Sequence, residues 1–195
     1  MEKVTIKRMD EFERDVRDEA ASVFIEGYYK DLSFFSKDRT TLQKAIRHAF
    51  CEDVYYLAEW EGEVVGILAC STNQSRAMKV NKREIVDALG FLKGSFAYSM
   101  LSRELHPPLP YPDDTGYIEC VATTSESRGK GVASALVNHV IDHLHFSTYI
   151  LEVVDTNTNA HRLYKKLGFT EYKRKKERFG NMKGFRERIY MRFEC

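Results

Sequence analysis

The chain has 195 residues, enough for one well-buried domain that needs neither disulfides nor a metal to hold it together. Lys and Arg number 30 against 29 Asp and Glu, so the basic field that sequence-independent nucleic-acid binding requires is missing. A hydrophobic content of 43% with 30% charged residues excludes a disordered chain.

The segment 1–7 is charged and alternates like a strand, so it reads as neither a signal peptide nor a membrane span. A strand over 4–8 is followed by a helix from an Asp10 cap to about residue 30, with Phe12, Val16, Ala20, Val23 and Phe24 near helical spacing. Thr40 or Thr41 opens a second helix to about residue 50. Strands over 54–60 and 64–70 form a hairpin around Glu61-Gly62-Glu63. The stretch 73–113 reads as a helical insertion, broken at Gly90 and Gly94 and closed by prolines at 107–112. A strand over 117–122, a polar link, a helix over 131–145, a strand over 149–154 and a helix over 157–167 follow. Gly168 stands at the C-cap of that last helix. Two strands, 170–176 and 186–194, end the chain around a turn at Gly180-Asn181. This order predicts a mixed α/β (α+β) sheet with helices on its faces, in one domain spanning 1–195.

The four cysteines, Cys51, Cys70, Cys120 and Cys195, form no CxxC pair, which predicts reduced thiols in a cytoplasmic protein and no metal site. His139 and His143 share a helix face without the glutamate of a zinc-protease motif, and read as solvated residues. The run from Tyr172 to Arg178 reads as a charged, solvated edge strand. Neither nucleic acid nor membrane is expected as a partner.

Arg128-Gly129-Lys130-Gly131-Val132-Ala133 joins a strand to a helix. Glycines there bring backbone amides close to a ligand at a helix N-terminus, an arrangement that binds phosphate. A glycine-rich turn without a ligand is the alternative. A Walker A loop is excluded, because no Gly-Lys-Ser/Thr closes the motif. A dinucleotide fingerprint fits poorly. Gly129-x-Gly131-x-x-Ser134 lacks the third glycine, and residues 123–127 separate it from the strand.

The segment Glu126-Ser-Arg-Gly-Lys-Gly-Val-Ala resembles the acetyl-CoA motif of the GNAT superfamily of N-acetyltransferases, with Arg128, Gly131 and Ala133 at its three fixed positions. Residues 151–169 resemble the same family's next motif, in which an Asn and a Tyr precede Leu-Gly-Phe. The resemblance is strong over 114–172, moderate over 4–72 and poor over 73–113. It implies a mostly antiparallel sheet of about seven strands, splayed between the fourth and fifth. It also implies acetyl-CoA as acyl donor without a metal, and a small-molecule or peptide amine as acceptor. Backbone atoms of Val121, Ala122 and Thr123 would hold the pantetheine arm. The amides of Arg128, Gly129, Lys130, Gly131, Val132 and Ala133 would hold the pyrophosphate. Asn157 would contact the cofactor, and Tyr164 would protonate the departing thiolate. From periodicity alone, however, Tyr164 is a core residue beside Ala160, Leu163 and Leu167, and Asn157 is a helix cap in competition with Asn159.

The base that takes the amine proton is less marked. Glu119 lies in the apolar run Tyr117-Ile-Glu-Cys-Val-Ala and is a candidate, with an ion-paired structural carboxylate as the alternative. Glu152 reads as structural. Tyr28, Tyr29, Phe34 and Phe35 fall where the resemblance places a wall of the acceptor pocket, although such aromatics also build cores. Phe91, Phe96, Tyr98 and Met100 give the insertion three readings: a lid over the acceptor, a homodimer contact or an extra packed layer. A non-catalytic acyl-CoA-binding or regulatory module on the same fold is the alternative to an N-acetyltransferase.

Overall fold

In β2 (Tyr55–Trp60) and β3 (Glu63–Ser71) the side chains alternate across the sheet. Tyr55, Leu57, Ile67 and Ala69 enter one buried cluster, whereas Tyr56, Ala58, Leu68 and Cys70 enter another. Both faces are therefore covered, and strand apolarity is nearly continuous. The computed structural model describes residues 4–178 and 184–195. These form a seven-stranded sheet whose order is completed by β1 (Thr5–Arg8), β4 (Thr115–Thr123), β5 (Thr148–Val154), β6 (Thr170–Lys176) and β7 (Glu187–Glu194): β1-β2-β3-β4-β5-β7-β6. Every pairing is antiparallel except β4 with β5. Helices α1 (Arg17–Leu32), α2 (Arg39–Ile46), α3 (Lys82–Leu89) and α4 (Phe91–Leu105) cover the first face, and α5 (Val132–His143) and α6 (Thr158–Lys166) the second.

The expected α/β architecture is present, with local corrections. Asp10 does not cap a helix to residue 30. Its carboxylate is taken by Arg8 at 2.6 Å, a 3-10 turn covers Met9–Glu11, and α1 begins only at Arg17. The second helix is capped by Asp38 rather than by a threonine, because the carboxylate accepts from the amides of both Thr40 and Thr41. It also stops at Ile46. The turn expected at Gly180-Asn181 lies outside the described residues. β6 is the exposed edge strand that its charges imply, and its Lys and Arg side chains discourage edge pairing. Among the described residues, no helix is long and apolar enough to cross a membrane, and no group of His, Cys, Asp and Glu could hold a metal.

The insertion folds as α3 and α4, a layer buried through Ile85 and Ala97. Gly90, at φ 80°, breaks the two helices apart, but Gly94 is no break. It lies inside α4 where a Cβ would stand 2.6 Å from the Cα of Val86, so it lets α3 and α4 touch backbone to backbone. Gly94→Val is expected to cost about 1–3 kcal/mol by overpacking this contact. The check is thermal denaturation, in which each kcal/mol lowers Tm by about 2–4 °C in a chain of this size.

Candidate active site

β4 and β5 pair only over Thr115–Ile118 and Thr148–Leu151, although β4 runs on to Thr123 and β5 to Val154. Beyond Ile118 the two strands part, leaving the β5-facing side of residues 119–123 without a strand partner. The break coincides with a bulge. Register slips between Ile67 and Ala69 on β3, and Cys120 adopts φ 56°. A cysteine in the left-handed region costs about 1–2 kcal/mol. Two β4 residues then oppose one on β3, and Cys120 packs on the first face like Ala122 while Ile118 and Val121 pack on the second. No glycine or asparagine in the sequence signals this bulge. It sits immediately before Val121, Ala122 and Thr123, the residues expected to bind pantetheine, and re-aims their backbone groups.

The loop after β4 is clamped to β3. The Thr124 amide and the buried Ser127 hydroxyl both donate to the Val65 carbonyl, at 2.9 and 3.0 Å. Ser127 looked like one polar link residue among several in the sequence. Glu26 of α1 accepts from the Ser125 amide and pairs with Arg128 at 3.7 Å. Gly129 and Gly131 have φ of 76° and 83°, and a Cβ at either would meet nothing within 4 Å. The space above them is open. Gly131 is the N-cap of α5 and offers no side chain to its first-turn amides, which have no intrahelical partner. The amides of Arg128 and Lys130 are drawn into tight turns with Ser125 and Ser127. The ammonium of Lys130 sits 4.4 Å from the ring of Trp60. The freest donors are therefore those of Gly129, Gly131, Val132 and Ala133.

Asn157 is the N-cap of α6, accepting from the Ala160 amide at 3.2 Å, whereas Asn159 accepts from Arg162. Tyr164 is buried against Phe169, with ring centroids 6.0 Å apart, and burial pushes its phenol up to about 12. It belongs to the second face. Tyr28 belongs to the first face, at a kink in α1, stacked on Phe24. Its pKa is raised well above the ordinary tyrosine value by burial and by the neighbouring charges of Cys120, Tyr164 and Glu119. Tyr28 and Tyr164 lie on opposite faces of the sheet.

Glu119 is ion-paired. It accepts from Ser71 and meets Arg76 at 3.4 Å, both charged side chains being largely buried. Arg76 also donates to the carbonyls of Pro107 and Glu104, so the pair ties the insertion to β4. Glu119→Gln is expected to lower stability by about 1–3 kcal/mol, the loss from a charged hydrogen-bonded pair. If Glu119 is an anchor, kcat should change less than ~10-fold at the same time. Stopped-assay kinetics beside a thermal melt check both.

The remaining candidates divide. Tyr29 turns away, donating to the Lys37 carbonyl at 2.9 Å beneath the Arg39 guanidinium. Phe35 is buried, and Phe34 is 73% exposed. Glu152 is paired with Arg188 at 2.5 Å, and Arg188 also holds Glu177 at 3.0 Å. His139 and His143 stack on each other at 4.1 Å; His143 is exposed as expected, but His139 is half-buried, with its ring 5.7 Å from that of Tyr56.

The sequence model of the acetyltransferase (GNAT) family matches residues 15–169. Solved structures of similar fold include the ribosomal-protein-S18-alanine N-acetyltransferase from Escherichia coli, with a TM-score of 0.58 at 16% identity over 98% of this chain and 94% of that one. An N-acetyltransferase from Staphylococcus aureus Mu50 gives 0.59 at 19% identity over 97% of this chain and 100% of that one. The IAA acetyltransferase from Bacillus cereus ATCC 14579 gives 0.56 at 14% identity over 99% and 100%. No curated protein matches in sequence. The family match covers the parted strands, the glycine loop and the Tyr164 helix, and the chain belongs to the GNAT acetyltransferase family.

Proposed function

We propose that the chain, as one domain, transfers an acetyl group from acetyl-CoA to a primary amine within a ternary complex. The observation that carries this reading is the parting of β4 from β5 beyond Ile118, followed in the chain by an open, uncapped helix N-terminus. Pantetheine lies in the gap as a substitute strand on 121–123, and the pyrophosphate meets the amides around Gly129 and Gly131. The amine nitrogen attacks the thioester carbonyl, whose oxygen is polarised by β4 amides. The carbon–sulfur bond breaks, and the thiolate takes the Tyr164 proton. The proton lost by nitrogen passes through water to restore the phenol.

A phenol near 12 is a weak acid for an ordinary thiolate, but a dry site raises thiols too. Cys70, buried in the same sheet, is pushed up to about 12. Desolvation of the departing thiolate therefore acts in the direction that favours proton transfer from Tyr164. Glu119 remains the carboxylate candidate for the amine proton only if its pair with Arg76 opens; that pairing is what favours the second reading, an acyl-CoA-binding module without turnover. Free CoA release, screened over a panel of primary amines, decides between the two. Acetyl-CoA binding without turnover on any amine would favour the module, and preferential binding of NAD would overturn both.

A further inference from the structure

Glu26 lies in α1, one residue before Gly27 and two before the kink at Tyr28. Its carboxylate reaches the loop after β4 and accepts from the Ser125 amide at 2.5 Å. Ser125 opens a 3-10 turn, Ser125–Ser127, and the N-cap residue Thr124 gives that turn no side-chain acceptor. Glu26 therefore satisfies, from another element, an amide that the turn leaves without an internal partner. The same oxygen stands 3.7 Å from the Arg128 guanidinium. Among the described residues these are the two polar partners of Glu26, and both belong to the loop. Gly27 makes the neighbouring contact. A Cβ there would stand 2.7 Å from the Cβ of Ala122, so α1 rests directly on β4. Two consecutive residues of one helix thus meet two parts of the donor site. Gly27 meets the strand segment 121–123, and Glu26 meets the loop that leads to Gly129 and Gly131.

We infer that Glu26 is a positioning residue of the donor site. The Val65 carbonyl ties the loop to the sheet, and Glu26 ties it to α1, so that the amides around Gly129 and Gly131 are held at a fixed place relative to the strand that takes the pantetheine arm. The charge of Glu26 works against this task. A carboxylate beside a pyrophosphate site repels the ligand, and its pairing with Arg128 withdraws a cation. What Glu26 contributes is the place of its acceptor oxygen. This inference rests on the acetyltransferase reading for the identity of the ligand, but not for the tie between α1 and the loop.

Two substitutions separate the oxygen from the charge. Glu26→Ala removes both, whereas Glu26→Gln keeps an acceptor oxygen and removes only the charge. In calorimetry with acetyl-CoA, Glu26→Ala is expected to bind at least ~5-fold more weakly than wild type, through loss of the charged hydrogen bond that holds the loop. Glu26→Gln should bind as tightly as wild type or up to ~5-fold more tightly, because repulsion is relieved and Arg128 is released. Rescue by Gln is the mark of positioning, since an effect of charge would move both variants in the same direction. Amide hydrogen exchange in the unliganded protein reads the tie itself. Ser125 should exchange at least ~5-fold faster in Glu26→Ala than in wild type or Glu26→Gln. Wild-type acetyl-CoA affinity in Glu26→Ala, equal weakening in both variants, or equal Ser125 exchange in all three proteins would overturn the inference. Faster Ser125 exchange in Glu26→Ala, with no acetyl-CoA affinity in the wild type, would overturn the donor reading and with it the role of Glu26 toward that ligand.

Discussion

Gly131→Asp is expected to weaken acetyl-CoA binding by at least ~2 kcal/mol, roughly 30-fold. The substitution puts a carboxylate at the N-cap of α5, where the open loop presents its amides. At about 5 Å and an effective dielectric of 20, each charge of a pyrophosphate would be repelled by about 3 kcal/mol. Asp tolerates the left-handed φ of 83° better than most residues, and a Cβ there meets nothing within 4 Å, so the fold should survive. Calorimetric titration with acetyl-CoA, beside circular dichroism as a control on folding, is the check. Unchanged affinity in a folded variant would remove the loop from the donor site.

Tyr164→Phe is expected to lower kcat by roughly 10²-fold or more while acetyl-CoA affinity holds. Only the hydroxyl is lost, and the packing on Phe169 remains. The raised phenol has a further consequence. A group lifted to about 12 keeps its proton well below that value, so Tyr164 is neutral and able to donate throughout the neutral range. A basic limb in kcat below about pH 10 must then arise from another group, and it should persist in a kinetically measurable Phe variant. Wild-type turnover in Tyr164→Phe would return the residue to core packing alone.

The loop and the Tyr164 helix were readable because their chemistry is written in short spacings. Glycines at 129 and 131 can take a backbone conformation that few other residues accept, and a helix positions residues three and four apart whatever surrounds it. The same locality explains the errors. Asp10 has the composition of a cap, but a nearby Arg8 claimed its carboxylate, and Asp38 outcompeted the threonines by accepting two amides at once. Gly94 looked like an interruption because sequence cannot distinguish a glycine that breaks a helix from one that admits a neighbouring backbone at 2.6 Å from its missing Cβ.

What the sequence by itself determined was the set of strands and helices, the α/β class and the family motif, all governed by period, caps and turns within a few residues. The tertiary structure decided which of those residues meet. The bulge at Cys120 follows from pairing β4 to β3, the parting of β4 from β5 from where their register ends, and the pairing of Glu119 with Arg76 from the insertion folding back over 43 residues of chain. Such contacts are set by the burial of distant apolar surfaces against one another, and no local pattern encodes which partner a buried face will find.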